Sequence, residues 1–160
     1  MYNVFLRVET TLKYIIEKMN PFIKQEGRKI IKNDVLKKDP LKFTEQLLFL
    51  KNEVDDIISK AFTNDMKFQK ARDLSFQEFM NEFERTPHFI AFYMDHQFKK
   101  GFKQLQDQEI QAKIDAVIKL FCCLHGRDMF ITSYSGLLAK RLLNKTSVSD
   151  EAEQKMIQAL

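Results

Sequence analysis

The stretch HGRDMFITSYSGLLAKRLLNKTSVSDEAEQKMIQAL, residues 125–160, has the clearest pattern in the chain. Apolar side chains recur in its first half at helical spacing and predict one apolar helix face: Phe130, Tyr134, Leu137, Leu138 and Leu142. Arg127, Lys140 and Arg141 lie off that face, so we expect all three on the surface. The first half therefore predicts a helix that packs against a neighbour through one side.

A short polar turn and a second helix follow in the same stretch. The hydroxyl side chains of residues 146–149 can bond to nearby backbone groups, which favours a turn over a helix interior. Asp150 and Glu153 stand three residues apart after this turn, as in a capping box, and both charges suit the positive end of a helix dipole. Residues 125–160 therefore predict two packed helices.

The composition of the chain extends this interpretation to all 160 residues. Fifteen Phe, no Trp, four Gly and three Pro are present. Four Gly are too few for the turns of an all-β protein of this length, and the length itself is typical of one domain. We predict an all-α fold of about seven antiparallel packed helices joined by short connections.

Two long helices are predicted at the start of the chain. The first runs from Tyr2 to about Ile31, and Asn20-Pro21 should kink or restart it because proline lacks an amide donor. The second covers residues 40–62, after the capping pair Asp39-Pro40. The side chains that we expect these helices to bury are Val4, Val8, Ile15, Met19 and Phe22, and then Leu47, Leu50, Val54, Ile57 and Ala61.

Three further helices are predicted between residues 64 and 124. Asn64 caps the third, Thr86-Pro87 begins the fourth, and Gly101 ends the fourth in the left-handed conformation. The fifth covers residues 107–124. The side chains expected to face inward are Phe68, Phe76, Phe79, Met80 and Phe83 in the third helix, and Ile110, Ile114, Val117, Ile118 and Phe121 in the fifth.

Several segments together resemble the cullin family. The C-terminal part of the match is HGRDMF at 125–130, LAKRLL at 138–143 and S-x-S-x-x-A-E-x-x-M-I-x-x-L at 147–160. Upstream, LLFLKNEVD at 47–55 and FQEFMN at 76–81 are similar to the leucine-rich and phenylalanine-rich helices of that family, and residues 2–31 fit more weakly. The His-Gly pair before the Asp is most similar to the cullin-four type.

The resemblance implies a non-catalytic scaffold of a cullin-RING ubiquitin ligase, which serves ubiquitin-dependent protein catabolism and the ubiquitin-like conjugation pathway. Residues 1–84 would complete a cullin repeat, and residues 85–160 would begin the C-terminal helical bundle, which is incomplete here. The implied partners of the full-length protein are a RING subunit, an adaptor and the acidic tail of a ubiquitin-conjugating enzyme. Most of those contacts would lie outside this chain, which we expect to be a piece of a longer protein.

The basic cluster Lys99, Lys100 and Lys103, bracketed by Phe98 and Phe102, has two interpretations. Cations at a helix end complement the dipole, so the cluster would then be a solvated terminus. Alternatively it recognises an anionic partner. The resemblance implies the second role, since lysines in this position of cullins belong to a basic surface that attracts the acidic tail of the conjugating enzyme, with strong salt dependence.

The chain offers no pattern for a metal, a cofactor or a catalytic centre. His88, His96 and His125 lack the spacing of convergent zinc ligands, and no glycine-rich phosphate loop or nucleophile elbow is present. Cys122 and Cys123 are neighbours in an apolar helical run, so they cannot form an ordinary disulfide, and we expect both to fill the core. We therefore predict no enzyme activity, no cofactor and no metal.

The net charge of +4 and the pI near 9.0 leave open a second function, a basic helical module that binds nucleic acid. That function would require Lys and Arg on one face, whereas here they are interleaved with acids, so nucleic acid is not an expected partner. No run of about 20 apolar residues or signal peptide is visible. Without spaced cysteine pairs, we expect a reducing location in the cytoplasm or the nucleus and no membrane partner.

Overall fold

The computed structural model describes residues 9–160, and seven α-helices occupy most of them. In chain order they are α1 Glu9–Ile31, α2 Pro40–Phe62, α3 Met66–Met80, α4 Thr86–His96, α5 Asp107–Cys122, α6 Arg127–Leu143 and α7 Asp150–Ala159. A 3-10 turn, Leu36–Lys38, precedes α2, and a π turn, Gln97–Gly101, continues α4. Within residues 9–160 no strand is present, so the all-α prediction is confirmed.

The helices share one continuous core. α1 packs chiefly on α3, α4 packs chiefly on α6, and α2 contacts both α1 and α4, so it joins the two pairs. α5 contacts α2, α4, α6 and α7. The buried apolar side chains form one cluster from Leu12 in α1 to Met156 in α7. None of the helices in the described part of the chain is long and apolar enough to cross a bilayer.

α1 and α3 approach closely because α1 carries Gly27 at the contact. A Cβ atom at Gly27 would lie 2.5 Å from three ring carbons of Phe79, which is fully buried. Beside this contact, Lys24 pairs with Glu78, and Arg28 donates to Glu82 at 2.7 Å. The glycine therefore sets the separation of the two helices, and the ion pairs flank it.

Most of the residues predicted to begin a helix are confirmed in that role. The carboxylate of Asp39 accepts hydrogen bonds from the backbone N–H groups of Leu41 and Lys42, both at 3.2 Å, with Pro40 as the first residue of α2. Thr86 and Pro87 begin α4. The cap of α3 is wrong by one residue, because Asp65 supplies the capping carboxylate.

The first helix does not restart at Pro21, since α1 runs unbroken through it. Phe22, which was expected to be buried, is 54% exposed. The next residue, Ile23, is fully buried and takes its place on the inner face of α1. Residues 2–8 of the predicted helix, with Val4 and Val8, lie outside the described residues.

The buried stripe of α2 also differs from the prediction. Ile57 is 49% exposed and Ala61 is exposed, whereas Ile58 is buried and Lys51 lies within the stripe. The buried positions of α2 recur about once per helical turn, at Phe43, Leu47, Lys51, Val54 and Ile58. The prediction took an apolar residue at each turn of the helix. It therefore placed Ile57 in the buried stripe instead of Ile58, and it left out Lys51.

Gly101 does not end α4 in the left-handed conformation, because no glycine among the described residues has a positive φ. The helix widens instead into the π turn, closed by a bond from the Phe102 N–H to the Gln97 carbonyl at 3.0 Å. This turn buries Phe98 and Phe102 together, with ring centroids 5.1 Å apart. A Cβ atom on Gly101 would overlap the side-chain amide of Gln97, so a larger residue here would force the Gln97 side chain to move.

Candidate functional site

A buried ion network connects α4, α6 and α7. Arg141 of α6 has no exposed surface, and it donates from Nη1 to Asp95 Oδ1 of α4 at 2.7 Å. Its Nε and Nη2 donate to the two carboxylate oxygens of Glu153 in α7, at 2.7 and 2.9 Å. One guanidinium therefore ties three helices together.

Neighbouring side chains complete this network. The hydroxyl of Tyr134 donates to Glu153 at 3.1 Å, and the hydroxyl of Ser147 donates to the same carboxylate at 2.9 Å. The guanidinium of Arg141 also lies over the rings of Phe98, at 4.9 Å, and Tyr134, at 5.3 Å. Burial alone would lower the pKa of Arg141, but the bonds to the two carboxylates outweigh it, so the net pKa is raised.

The expectation that Arg141 reaches solvent is therefore wrong, and so is the capping-box role of Glu153. The N-terminus of α7 is capped by Ser149, whose hydroxyl accepts from the Ala152 N–H at 3.2 Å. Arg141 follows Tyr134 by seven residues, which is two helical turns, so both point to the same side of α6. That spacing was visible in the sequence. The burial of Arg141 could be predicted only if its acidic partners, Asp95 and Glu153, were known to lie opposite it.

Arg127 and Lys140, the other two motif residues, are exposed. Arg127 donates to the Cys122 carbonyl at 2.7 Å and lies over the ring of Phe121, so it braces the connection between α5 and α6.

The basic cluster lines a surface groove of about 540 Å³, here called the lysine groove. Lys99 is partly exposed and donates to Asp95 at 2.8 Å, while Lys100 and Lys103 are exposed. Phe98 and Phe102 do not bracket these lysines on the surface, since both rings are buried beneath them. The full lining of the groove is Lys99, Lys100, Lys103, Lys145, Thr146, Ser147 and Val148.

Sequence reasoning missed Lys145, which lies in the turn between α6 and α7. It stands more than forty residues from the cluster in sequence, and only the packing of this turn on the π turn brings it into the lysine groove. The groove therefore gathers four cations from two elements, an arrangement that suits an anionic ligand.

A second, polar groove lies between α2, α3 and α5, with Lys51 at its base. The Lys51 ammonium donates to Asp55 at 3.2 Å, and Arg72 donates to both Asp55 and Asp73. Desolvation lowers the pKa of Lys51, although the Asp55 carboxylate opposes this effect. Cations and carboxylates alternate here, so the groove braces α2 against α3 and has no net preference for one sign of charge.

The two cysteines differ in environment, although both were expected in the core. Cys123 is buried, and desolvation raises the pKa of its thiol to about 11, which disfavours the reactive thiolate. Cys122 is exposed, so for this residue the expectation is wrong.

The three histidines do not converge. The ring of His88 hydrogen-bonds to Ser133 of α6, and His125 is exposed after the end of α5. In residues 9–160 no group of three or more His, Cys, Asp or Glu side chains could hold a metal ion.

Comparison with known proteins agrees with this architecture. A family model described as the cullin alpha solenoid domain matches residues 1–160. Cullin-3A of Arabidopsis thaliana is 37% identical over 157 residues, which are 98% of this chain and 21% of that protein. Cullin-3 of Dictyostelium discoideum is 32% identical over 160 residues, with 100% and 21% covered. Human Cullin-4A is 32% identical over 161 residues, with the same coverage.

Three conclusions follow from these matches. The expected cullin-four type is not supported, since a cullin-3 protein is more similar to the chain than human Cullin-4A is. The chain spans about a fifth of the length of these curated relatives. With a family match over its whole length, the chain belongs to the cullin family.

Proposed function

We propose that this chain is a scaffold segment of a cullin-RING ubiquitin ligase and spaces the substrate-receptor and RING modules without catalysing transfer itself. The observation that carries this proposal is the cullin match over residues 1–160. The RING subunit, the adaptor and the conjugating enzyme are partners proposed for the full-length protein. The alternative of a nucleic-acid-binding module has no support in the comparisons.

The proposed mechanism is positional. A spacer raises the effective concentration of one module near another only if it resists bending. The continuous core and the bonds of Arg141 to Asp95 and Glu153 provide that resistance, because removing one partner of a buried pair leaves an uncompensated charge.

The lysine groove has a separate proposed role in the same ligase. Lys99, Lys100 and Lys103 would attract the acidic tail of a ubiquitin-conjugating enzyme and speed its encounter with the complex. Exposed charges at this site are screened by salt, so the attraction should weaken steeply as ionic strength rises.

Two further assignments belong to this proposal. The boundary between a cullin repeat and the C-terminal bundle is placed near Glu84, in the connection between α3 and α4. The proposed location is the cytoplasm or the nucleus, whose reducing environment suits a chain with two free thiols.

Co-purification of the full-length gene product from cells tests the scaffold role. We expect a RING subunit to be recovered with it, and the recovery to survive nuclease treatment. Recovery of nucleic acid with no RING subunit would overturn the proposal.

A further inference from the structure

We infer that Lys145 is a binding residue of the lysine groove, so that an acidic peptide segment is held between the π turn and the turn that joins α6 to α7. The inference rests on the proposed role of this groove and adds a second side to the site. The ligand class is an extended chain segment with consecutive carboxylates.

The available charge in the groove supports this role of Lys145. Lys99 is already paired with the buried carboxylate of Asp95, so part of its charge is offset. Lys100, Lys103 and Lys145 are exposed and make no ion pair with any residue in the described part of the chain. Lys145 therefore supplies one of three uncommitted cations, and it is the one that comes from neither the π turn nor the residues directly after it.

The turn that carries Lys145 is held in place from two sides. The Val148 N–H donates to the Phe98 carbonyl of the π turn at 2.9 Å, and Ser147 donates to buried Glu153 at 2.9 Å. Lys145 itself has a left-handed backbone, with φ of 51°. Because the backbone is already ordered, a ligand spends less conformational entropy in fixing the site.

The number of cations and the size of the groove favour a peptide over a single small anion. Three of the lining lysines belong to the π turn and the residues directly after it, and the fourth belongs to the turn after α6, which also contributes Thr146 and Ser147 to the lining. A groove of about 540 Å³ has room for several residues of an extended chain. A segment with consecutive Asp or Glu can meet both sides at once.

Fluorescence polarisation with a labelled peptide of consecutive glutamates tests the inference on the purified chain. Lys145→Gln keeps the length of the side chain and removes its charge. Lys140→Gln is the matched control, because Lys140 is also exposed near the end of α6 but does not line the groove. The triple variant of Lys99, Lys100 and Lys103 to Gln tests the proposed function separately.

We expect Lys145→Gln to weaken peptide binding by about two- to fivefold at low salt and to reduce the salt dependence, with Lys140→Gln close to the parent. Loss of binding in the triple variant with full binding by Lys145→Gln would overturn the inference and leave the proposed groove standing. Absence of binding by the parent chain would overturn both. An equal loss in Lys145→Gln and Lys140→Gln would also overturn the inference, since net charge alone would explain it.

Discussion

Arg141 and Glu153 meet through two parallel hydrogen bonds in the core, with Nε 2.7 Å from Oε1 and Nη2 2.9 Å from Oε2. The third nitrogen of the guanidinium, Nη1, donates to Asp95 on α4. Only a planar fork of donors can meet both carboxylates in this way. The contact explains why α7 is held against α6 and α4 although it is only ten residues long.

Arg141→Ala should therefore destabilise the chain by about 3–5 kcal/mol, because two buried carboxylates lose their counter-charge. Arg141→Lys should also be strongly destabilising, since one ammonium cannot replace the bidentate contact. Urea unfolding at neutral pH measures both changes. Lys140→Ala, on the exposed side of α6, is the control and should stay within about 0.5 kcal/mol of the parent. Equal stability of Arg141→Lys and the parent would contradict the bidentate role.

Two glycine variants should change stability in opposite directions. Gly27→Ala places a methyl group against the buried ring of Phe79 and should cost about 1–3 kcal/mol through overpacking. Gly136→Ala meets no atom within 4 Å and should stabilise α6 by up to about 1 kcal/mol through helix propensity. Thermal unfolding of the two variants beside the parent measures the difference. A stabilising Gly27→Ala would show that α1 and α3 are not in close contact.

The chain should lose stability in alkaline solution. Desolvation raises the pKa of Tyr93 from 10.0 to about 12, so its contribution is complete below pH 10 and is lost as pH rises through 12. Desolvation likewise raises the pKa of Cys123 from 9.0 to about 11, so its contribution is complete below pH 9 and is lost as pH rises through 11. Burial raises the pKa of Tyr134 as well, whereas the lowered pKa of Lys51 acts in the opposite direction.

Tyr93→Phe isolates one of these contributions. The variant should remove roughly 2–3 kcal/mol of the stability loss between pH 10 and 12. Urea midpoints at neutral pH and across this range measure it. If the parent and the variant lose stability in parallel, Tyr93 does not ionise on unfolding in the expected way.

The two thiols should react at very different rates. A disulfide reagent should modify exposed Cys122 in the folded chain, while buried Cys123 should react only after unfolding. Counting the protein thiols that react with and without denaturant checks this expectation. Cys122→Ser should leave almost no reaction in the folded state. Rapid reaction of both thiols in native buffer would mean that the end of α5 opens readily.

Regular features of the fold were predictable because they depend on local chemistry. The pair Asp39-Pro40 begins α2, and Pro87 lies in the first turn of α4, since each forms its structure within a few residues. The aromatic face of α3 was equally clear, with Phe68, Phe76 and Phe79 all fully buried.

The features that could not be predicted depend on residues far apart in sequence. Arg141 is buried because Asp95, 46 residues earlier, lies opposite it. Lys51 replaces an apolar residue in the α2 stripe because Asp55 and Asp73 meet it there. Lys145 reaches the lysine groove through the same long-range packing. Local periodicity carries no information about such pairings, so charged residues on a helix were assigned to solvent.

A distance distribution between two spin labels tests the claim of a stiff spacer most directly. Labels at the exposed positions Lys13 and Gln158, introduced as cysteines in a Cys122→Ser background, lie in α1 and α7 near the two ends of the described chain. Pulsed dipolar spectroscopy should give one narrow distance that high salt does not broaden, because the ion pairs that join α4, α6 and α7 are buried. A broad or two-peaked distribution would contradict the stiff spacer.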